Sequence, residues 1–408
     1  MKSLAVSCDK PVPVILGGFV NAVGLARSFG INGIRSFVID SKRNTAFFSR
    51  YTEGVLSPDP EADEKAFLDF LISFGKALNS KGFLLATNDK WLIPISKNQN
   101  LLEDYYIFPM STWDVIGKCI DKIELTKLAS ALQIPMPKTV VVEKAKDICD
   151  KSQDLHFPFI MKPSITVGFA KRLGINKRTL VIDSQEVLQS ISKRIADNCV
   201  TDIPVVLQEI IEGPVSSLYT FSAYSDKHGK VIAYSTGHKL RQNPPEAGTI
   251  LSGRVIHEPE LCKLGKRLIE GIGFHGISNT EYKRDAKDGS FKLIEINPRP
   301  GMWNGSVLAS GINLPYLLYQ EDALNQTSLP ISHSNSEFTW LMTIEDFLCS
   351  LFLFKTAGRE AYAMSLRDWF ISVRGRRVHA LWSWKDPLPA IFNGSRSLAS
   401  GLAKVLRK

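Results

Sequence analysis

Glu295, Asn297 and Arg299 stand at alternate positions in 291-FKLIEINPRPGMW-303. Leu293, Ile294 and Ile296 between them favour a strand. Strand side chains alternate between faces, so 295, 297 and 299 share one face as far as the strand runs. A second acid, Glu281, lies upstream in 276-GISNTEYKRD-285, across a charged turn at 286–290. A hairpin here would set positions 281 and 295 across from each other. Two carboxylates and an amide oxygen are hard donors. They suit Mg²⁺, which takes few protein ligands and completes its octahedron with water and phosphate. Either acid alone reads as an exposed strand charge. An acidic strand matched to E-x-N-P-R-P-G is far more specific.

Two lysines extend the pattern. Lys162 ends the apolar stretch 157-FPFIMKPS-164, where a buried stem would aim its ammonium into a crevice. Lys122 opens a helix over 121–132 and alone would read as a solvated helical charge. Cations from two elements converging on two metal-binding acids are what a nucleoside triphosphate requires, because its oxygens must be neutralised during transfer.

These residues need elements to position them. Residues 12-VPVILGG-18, a helix over 19–29 and 34-IRSFVID-40 form a β-α-β unit, the start of a parallel sheet. Gly17, Gly18 and Gly24 suggest a dinucleotide turn, but their spacing is not G-x-G-x-x-G. Asp40 reads as a turn or helix cap before a ribose ligand. From 121 the pattern becomes strands and hairpins: 133-QIPMPKTVVV-142, 157–164, 205-VVLQEIIEG-213, then 217–226 and 230–236 around a turn at His228 and Gly229. A helix over 259–272 and helices within 303–324 complete an α+β body with mostly antiparallel sheet. The expected division is residues 1–110 as a small α/β domain, 111–328 as the second domain and 329–408 as a basic extension.

The order of Lys122, Q-I-P-x-P, F-P-F-I-M-K, Q-E-I-I-E-G, Glu281 and E-I-N-P-R resembles the ATP-grasp superfamily of carboxylate–amine ligases over about residues 10–325. Within it, S-L-Y-T-F-S-A-Y, G-H-K-L-R-Q-N-P-P-E-A-G and E-I-N-P-R-P-G are similar to the D-aspartate-ligase-like branch. The resemblance implies an α/β pre-ATP-grasp domain followed by a two-lobed ATP-grasp fold, with a lid lobe over about 135–212. It implies ATP and two Mg²⁺ ions, with Mn²⁺ able to substitute, and an acyl-phosphate route from a small carboxylate and an amine (or thiol) to ADP and phosphate. Lys122 and Lys162 would contact ATP phosphates. Gln208, Glu209 and Ile211 would hold adenine, largely through backbone groups. Glu281, Glu295 and Asn297 would bind the metals, and Arg299 would steady the carboxylate or acyl phosphate. Glu212 stands as the candidate for the ribose. Lys239 and Arg241 fit a phosphate or substrate contact, with a solvated charged loop as their alternative. The segment 163-PSITVGFAKRLGINK-177 has only Gly168 and Gly174 where a glycine-rich lid is common, so Lys171, Arg172 or Lys177 would act there. Trp303 either walls the substrate pocket or belongs to the core.

Composition is ordinary for a globular chain, with 44% hydrophobic and 22% charged residues. Six scattered cysteines without a C-x-x-C pair suit a reducing, cytoplasmic setting. The N-terminus lacks the apolar run of a signal peptide. Residues 350–408 carry eleven Lys/Arg against three acids, nearly all of the net +9. This reads as a solvated tail or as a face for an anionic membrane or acidic partner. Nucleic acid is not expected, and an oligomer is compatible with the sequence. Two other functions stay open: an oxidoreductase built on the first β-α-β unit, and a nucleotide-binding scaffold without turnover.

Overall fold

A computed structural model describes residues 10–164, 179–245, 248–326, 335–356 and 359–406. Lys171, Arg172 and Lys177, the expected lid cations, lie outside the described residues. By its contacts the chain forms two compact units. The first comprises residues up to Trp113, Tyr219–Asn279 and Asn297 onward; the second comprises Asp114–Leu218 and Thr280–Ile296. The expected boundary at 328 does not appear in this division, because later strands join a sheet of the first unit.

The first unit begins with five parallel strands, β1 (Val12–Leu16), β2 (Ser36–Asp40), β3 (Thr52–Leu56), β4 (Gly82–Ala86) and β5 (Tyr106–Ile107), in the order β3-β2-β1-β4-β5. Strands β1, β2 and β4 are buried at every residue, as expected for the unbroken apolar runs of a parallel sheet. The glycine turn after β1 is filled by the protein itself. Gly17 has φ +87°, and a Cβ there would lie 2.4 Å from Thr87 Oγ1. Gly18 N donates to Asp40 Oδ2 at 2.8 Å, so Asp40 closes the turn. Gly24 lets the helix Val20–Gly30 approach the backbone of Gly305. Packing explains these glycines and this acid without a dinucleotide.

The second unit holds the antiparallel sheet of β6 (Thr139–Val142), β7 (Phe159–Pro163), β8 (Leu180–Ile182) and β9 (Val205–Glu209), in the order β6-β9-β7-β8. One face is apolar: Val142, Phe159, Met161, Val205 and Leu207 pack with Leu188, Ile191 and Ile195 of the helix Gln185–Asp197. Alternation turns Thr139, Ile160, Lys162, Val206 and Gln208 to the other face.

In the first unit a second sheet runs through β10 (Leu218–Ser225), β11 (Val231–Asn243) and β12 (Thr249–Val255), with β13 (Gly276–Arg284) beside β10. The later part of β13 and β14 (Phe291–Asn297) form a hairpin in the second unit, closed by Asp285 N donating to Ser290 O at 2.9 Å. Strands β15 (Phe338–Leu341) and β16 (Arg377–His379) extend the sheet beyond β12, the last pair in parallel. Residues from 329 onward are therefore partly integral to the first unit. Strand β11 also continues to Asn243, well past the expected end at 236. Lys239 and Arg241 are thus strand residues, where the sequence suggested a loop.

Candidate functional site

The site is clearest in the second unit, where four charged groups converge. Lys162 lies two residues before Ser164, near the C-terminal end of β7. The helix Lys122–Ala131 is capped by Asp121, whose side chain accepts from Ile123 N and Glu124 N. Ser164 joins the two elements. Its Oγ donates to Asp121 Oδ1, and its carbonyl accepts from Lys122 N at 3.0 Å. One residue therefore fixes Lys122 relative to Lys162, forty positions further along the chain.

The Lys162 ammonium reports its surroundings through its pKa, which is lowered from 10.5 to about 8. Burial is the largest cause; the Lys122 ammonium pushes the same way, and Glu295 and Glu281 oppose both. Two cations and two carboxylates from the helix, β7, β13 and β14 thus share one electrostatic site. Lys162 Nζ also donates to Gln208 Oε1 at 3.1 Å, and Gln208 Nε2 donates to Thr139 Oγ1 at 2.9 Å. The amide of Gln208 orients the lysine, and Thr139 orients the amide. Ile160 and Val206 make the same face apolar beside this polar pair, which suits a flat base next to a phosphate chain.

The adenine-holding residues expected from the sequence lie at the end of β9 and just beyond. Glu209 is tied back: its Oε1 accepts from Lys138 N at 2.9 Å, and its own N donates to Lys138 O. Ile211 is buried, whereas Glu212 is exposed. Glu209 therefore shapes the turn through its side chain.

Among the described residues no group of three or more His, Cys, Asp or Glu side chains could hold a metal. The second unit offers two carboxylates, Glu281 and Glu295, as hard oxygen donors, and Asn297 follows Glu295 by two residues along β14. Such a set fits Mg²⁺ that draws its remaining ligands from phosphate and water.

In the first unit, Arg299 donates from Nη2 to Asn297 Oδ1 at 2.9 Å and from Nε to Asp89 Oδ1 at 2.7 Å. Asp89 opens the helix Asp89–Lys97 and is a partner that sequence reading missed, 210 positions away. A cavity beside Arg299 is lined by Leu85, Leu92, Met110, Ile277 and Pro300. Lys239 is buried on β11 and donates to Gln242 Oε1 at 3.4 Å. Arg241 is placed differently from the expectation of a substrate contact. Its Nε and Nη2 grip both oxygens of buried Asp346 at 2.7 Å, and Nη1 donates to Ser372 Oγ at 2.8 Å. Ser252 Oγ and Trp369 Nε1 also donate to Asp346. This is a structural tie between β11 and later elements of the unit. Trp303 is a core residue, stacked on Trp340 with ring centroids 5.9 Å apart.

Asp121, Ser164 and Thr139 were also missed. Only Asp121 leaves a local signal, an acid directly before a helix.

No protein-family model matches the chain. Among curated proteins it is similar to the D-aspartate ligase of Enterococcus faecium (strain Aus0004), with 24% identity over 341 residues and 80% of each chain covered. It is also similar to a D-alanine–D-alanine ligase of Pseudomonas fluorescens (strain Pf0-1), 24% identical over 212 residues, covering 50% of this chain and 60% of that one. Among solved structures, N5-carboxyaminoimidazole synthetase from Staphylococcus aureus, complexed with ADP, superposes with a TM-score of 0.61 at 16% identity, covering 84% of each chain. An L-amino acid ligase from Bacillus licheniformis superposes with a TM-score of 0.57 at 15% identity, covering 78% of this chain and 75% of that one. At these identities the superpositions speak for the fold.

Proposed function

We propose that the chain is an ATP-grasp carboxylate–amine ligase, which activates a carboxylic acid with ATP and joins it to an amine, with Mg²⁺ as cofactor. The observation that carries this reading is the site around Lys162, where burial, Lys122, Glu281 and Glu295 all act on one ammonium. The likeness to D-aspartate ligase favours amino acids as the acid and amine.

ATP supplies the phosphoryl group that turns a poor electrophile, the carboxylate, into an acyl phosphate. The carboxylate oxygen forms a bond to the γ-phosphorus as the bond to ADP breaks. The amine then adds to the carbonyl carbon, phosphate leaves, and the amine loses a proton. Glu281, Glu295 and Asn297 would hold Mg²⁺, which would shield charge on the phosphate oxygens.

The chain's own residues position and neutralise. Lys122 and Lys162 face the phosphates from two elements locked together by Ser164. Gln208 and Thr139 keep Lys162 aimed, and Ile160 and Val206 give adenine an apolar face. Backbone groups at 208–211 hold the base edge, and Glu212 is assigned to the ribose. Arg299, braced by Asp89 and Asn297, offers a planar fork to the reacting carboxylate. Lys239 is assigned to the acyl-phosphate side. Arg241 is left out of the chemistry because its guanidinium is committed to Asp346.

The test is Glu295→Gln in an assay of ATP-dependent phosphate release over a panel of amino acids and dipeptides. The variant should stay folded and lose turnover by at least about a thousandfold. Undiminished release would reject the metal assignment. ATP binding without release from the wild type across broad panels would favour the scaffold reading.

A further inference from the structure

Exposed apolar side chains are unevenly distributed. Among the described residues, ten of the seventeen exposed large hydrophobic side chains fall between residues 350 and 399. The helix Leu366–Ser372 buries Trp369 and turns Phe370 and Ile371 outward, each about half exposed. The last helix, Leu388–Leu406, exposes Leu388, Ile391 and Leu398, whose spacings of three and seven residues put them on one face. Between the two helices Trp384 is 88% exposed, set edge-on to Trp382 with ring centroids 5.2 Å apart. Both helices dock on the helix Thr343–Leu348. Trp369 Nε1 donates to Asp346 at 2.7 Å, and Ser397 Oγ donates to Glu345 at 2.6 Å. The outward faces thus belong to one region of the first unit.

The same region is basic. Arg367, Arg374, Arg377, Lys385 and Arg396 are exposed among these side chains. Of the three acids beyond 350, Asp386 is turned inward onto Arg27 at 3.0 Å and lends the surface no negative charge. Large apolar groups beside exposed cations, with tryptophans, are what a protein presents to the headgroup layer of an anionic bilayer. Tryptophan favours that layer because its ring is apolar and its N–H polar. A second copy fits less well, since a symmetric dimer through this face would set cations against cations. Among the described residues no helix is long and apolar enough to cross a membrane, so the contact lies on the surface.

We propose that this face, formed by the helix Leu366–Ser372, Trp382–Trp384 and the helix from Leu388, is a peripheral docking surface for anionic phospholipid membranes. It carries none of the residues assigned to ATP or to the acid, so the ligase would act while held at the bilayer.

The experiment is cosedimentation of the full chain with vesicles of phosphatidylcholine alone and of phosphatidylcholine mixed with phosphatidylglycerol, at low and high salt. Wild type should pellet with the mixed vesicles only, and high salt should release it. Trp384→Ser combined with Ile391→Ser, and separately Arg374→Glu combined with Lys385→Glu, should each lower the partition coefficient at least about tenfold. Both should keep wild-type phosphate release and thermal unfolding. Leu101→Ser, at an exposed apolar position outside the region, should bind like wild type. The proposal is overturned if wild type stays in solution with the mixed vesicles, or if both double variants pellet unchanged. It is equally overturned if wild type sediments as a dimer that Trp384→Ser dissociates, which would assign the face to a second copy.

Discussion

Replacing Lys162 by methionine keeps the stem of the side chain and removes its charge, which separates the stability of the site from its use. The pKa lowered from 10.5 to about 8 means that charging this amine in the folded chain costs about 3 kcal/mol more than in the unfolded chain. Part of the side chain still reaches water, so this is an upper bound. At neutral pH both states carry the proton and the full cost is present. Between pH 8 and 10.5 the folded chain has released the proton while the unfolded chain holds it, so stability rises with pH; above 10.5 the difference is gone. Lys162→Met should therefore be more stable than wild type at pH 7, by about 1–3 kcal/mol, and the gap should close as pH climbs through that window. Urea unfolding of both proteins at several pH values between 7 and 10.5 measures it. Binding should go the other way. MgATP should raise the unfolding midpoint of wild type, as any ligand of the native state does, and leave that of the variant nearly unmoved. A variant less stable at pH 7, or a gap flat with pH, would refute the buried-amine argument. Full protection of the variant by nucleotide would refute the phosphate assignment.

Other perturbations test the rest of the reasoning. Gly17→Ala sets a Cβ 2.4 Å from Thr87 Oγ1 at φ +87°, and should cost at least about 2 kcal/mol in thermal unfolding; a cost near zero would reopen the turn to a ligand. Asp346→Ala strands the Arg241 guanidinium and should destabilise by about 3–5 kcal/mol. The double variant Arg241→Met, Asp346→Leu should recover much of that loss and retain phosphate release, and a folded but inactive double variant would return Arg241 to the chemistry. Arg299→Lys keeps the charge and loses the fork, so KM for the acid should rise at least about tenfold while KM for ATP holds; an equal rise in both would remove Arg299 from the acid's subsite.

The pairing of Glu281 with Glu295 was legible because the order Glu281, turn, E-x-N-P-R is local, and a hairpin closes within the sequence window that contains it. The lysines were legible as company for those acids. The convergence of Lys122 and Lys162 was not, since it depends on Ser164, just past β7, accepting from the first residue of the Lys122–Ala131 helix and donating to the cap of that same helix. Arg241 misled because its sequence neighbours, H-K-L-R-Q-N-P-P, read as a charged loop, whereas β11 continues and the partner Asp346 is 105 positions away. The glycines after β1 misled in the opposite sense. They have the composition of a ligand-binding turn, yet Thr87 and Trp91, from a distant strand end and helix, pack where a Cβ on Gly17 would lie. The basic C-terminal residues could be counted in the sequence, but their strands could not be attached to a sheet, because β15 and β16 are short and pair with each other in parallel.

The arrangement around Lys162 makes sense as a site built to be filled. Two ammonium groups and two carboxylates cancel, so the site carries no large net charge when considered alone. Yet burial holds Lys162 close to losing its proton, a state with no advantage for stability. Under the proposed function, magnesium ions and a triphosphate would bring charges that nearly cancel as well, with metal held at the acids and phosphate oxygens at the amines. Placing a phosphate anion next to Lys162 favours the ammonium and must raise its pKa, so nucleotide should bind with uptake of a proton near pH 8. Calorimetric titrations in buffers of different ionisation enthalpy would register that proton. Its absence, with nucleotide bound, would mean that the phosphates lie away from this amine.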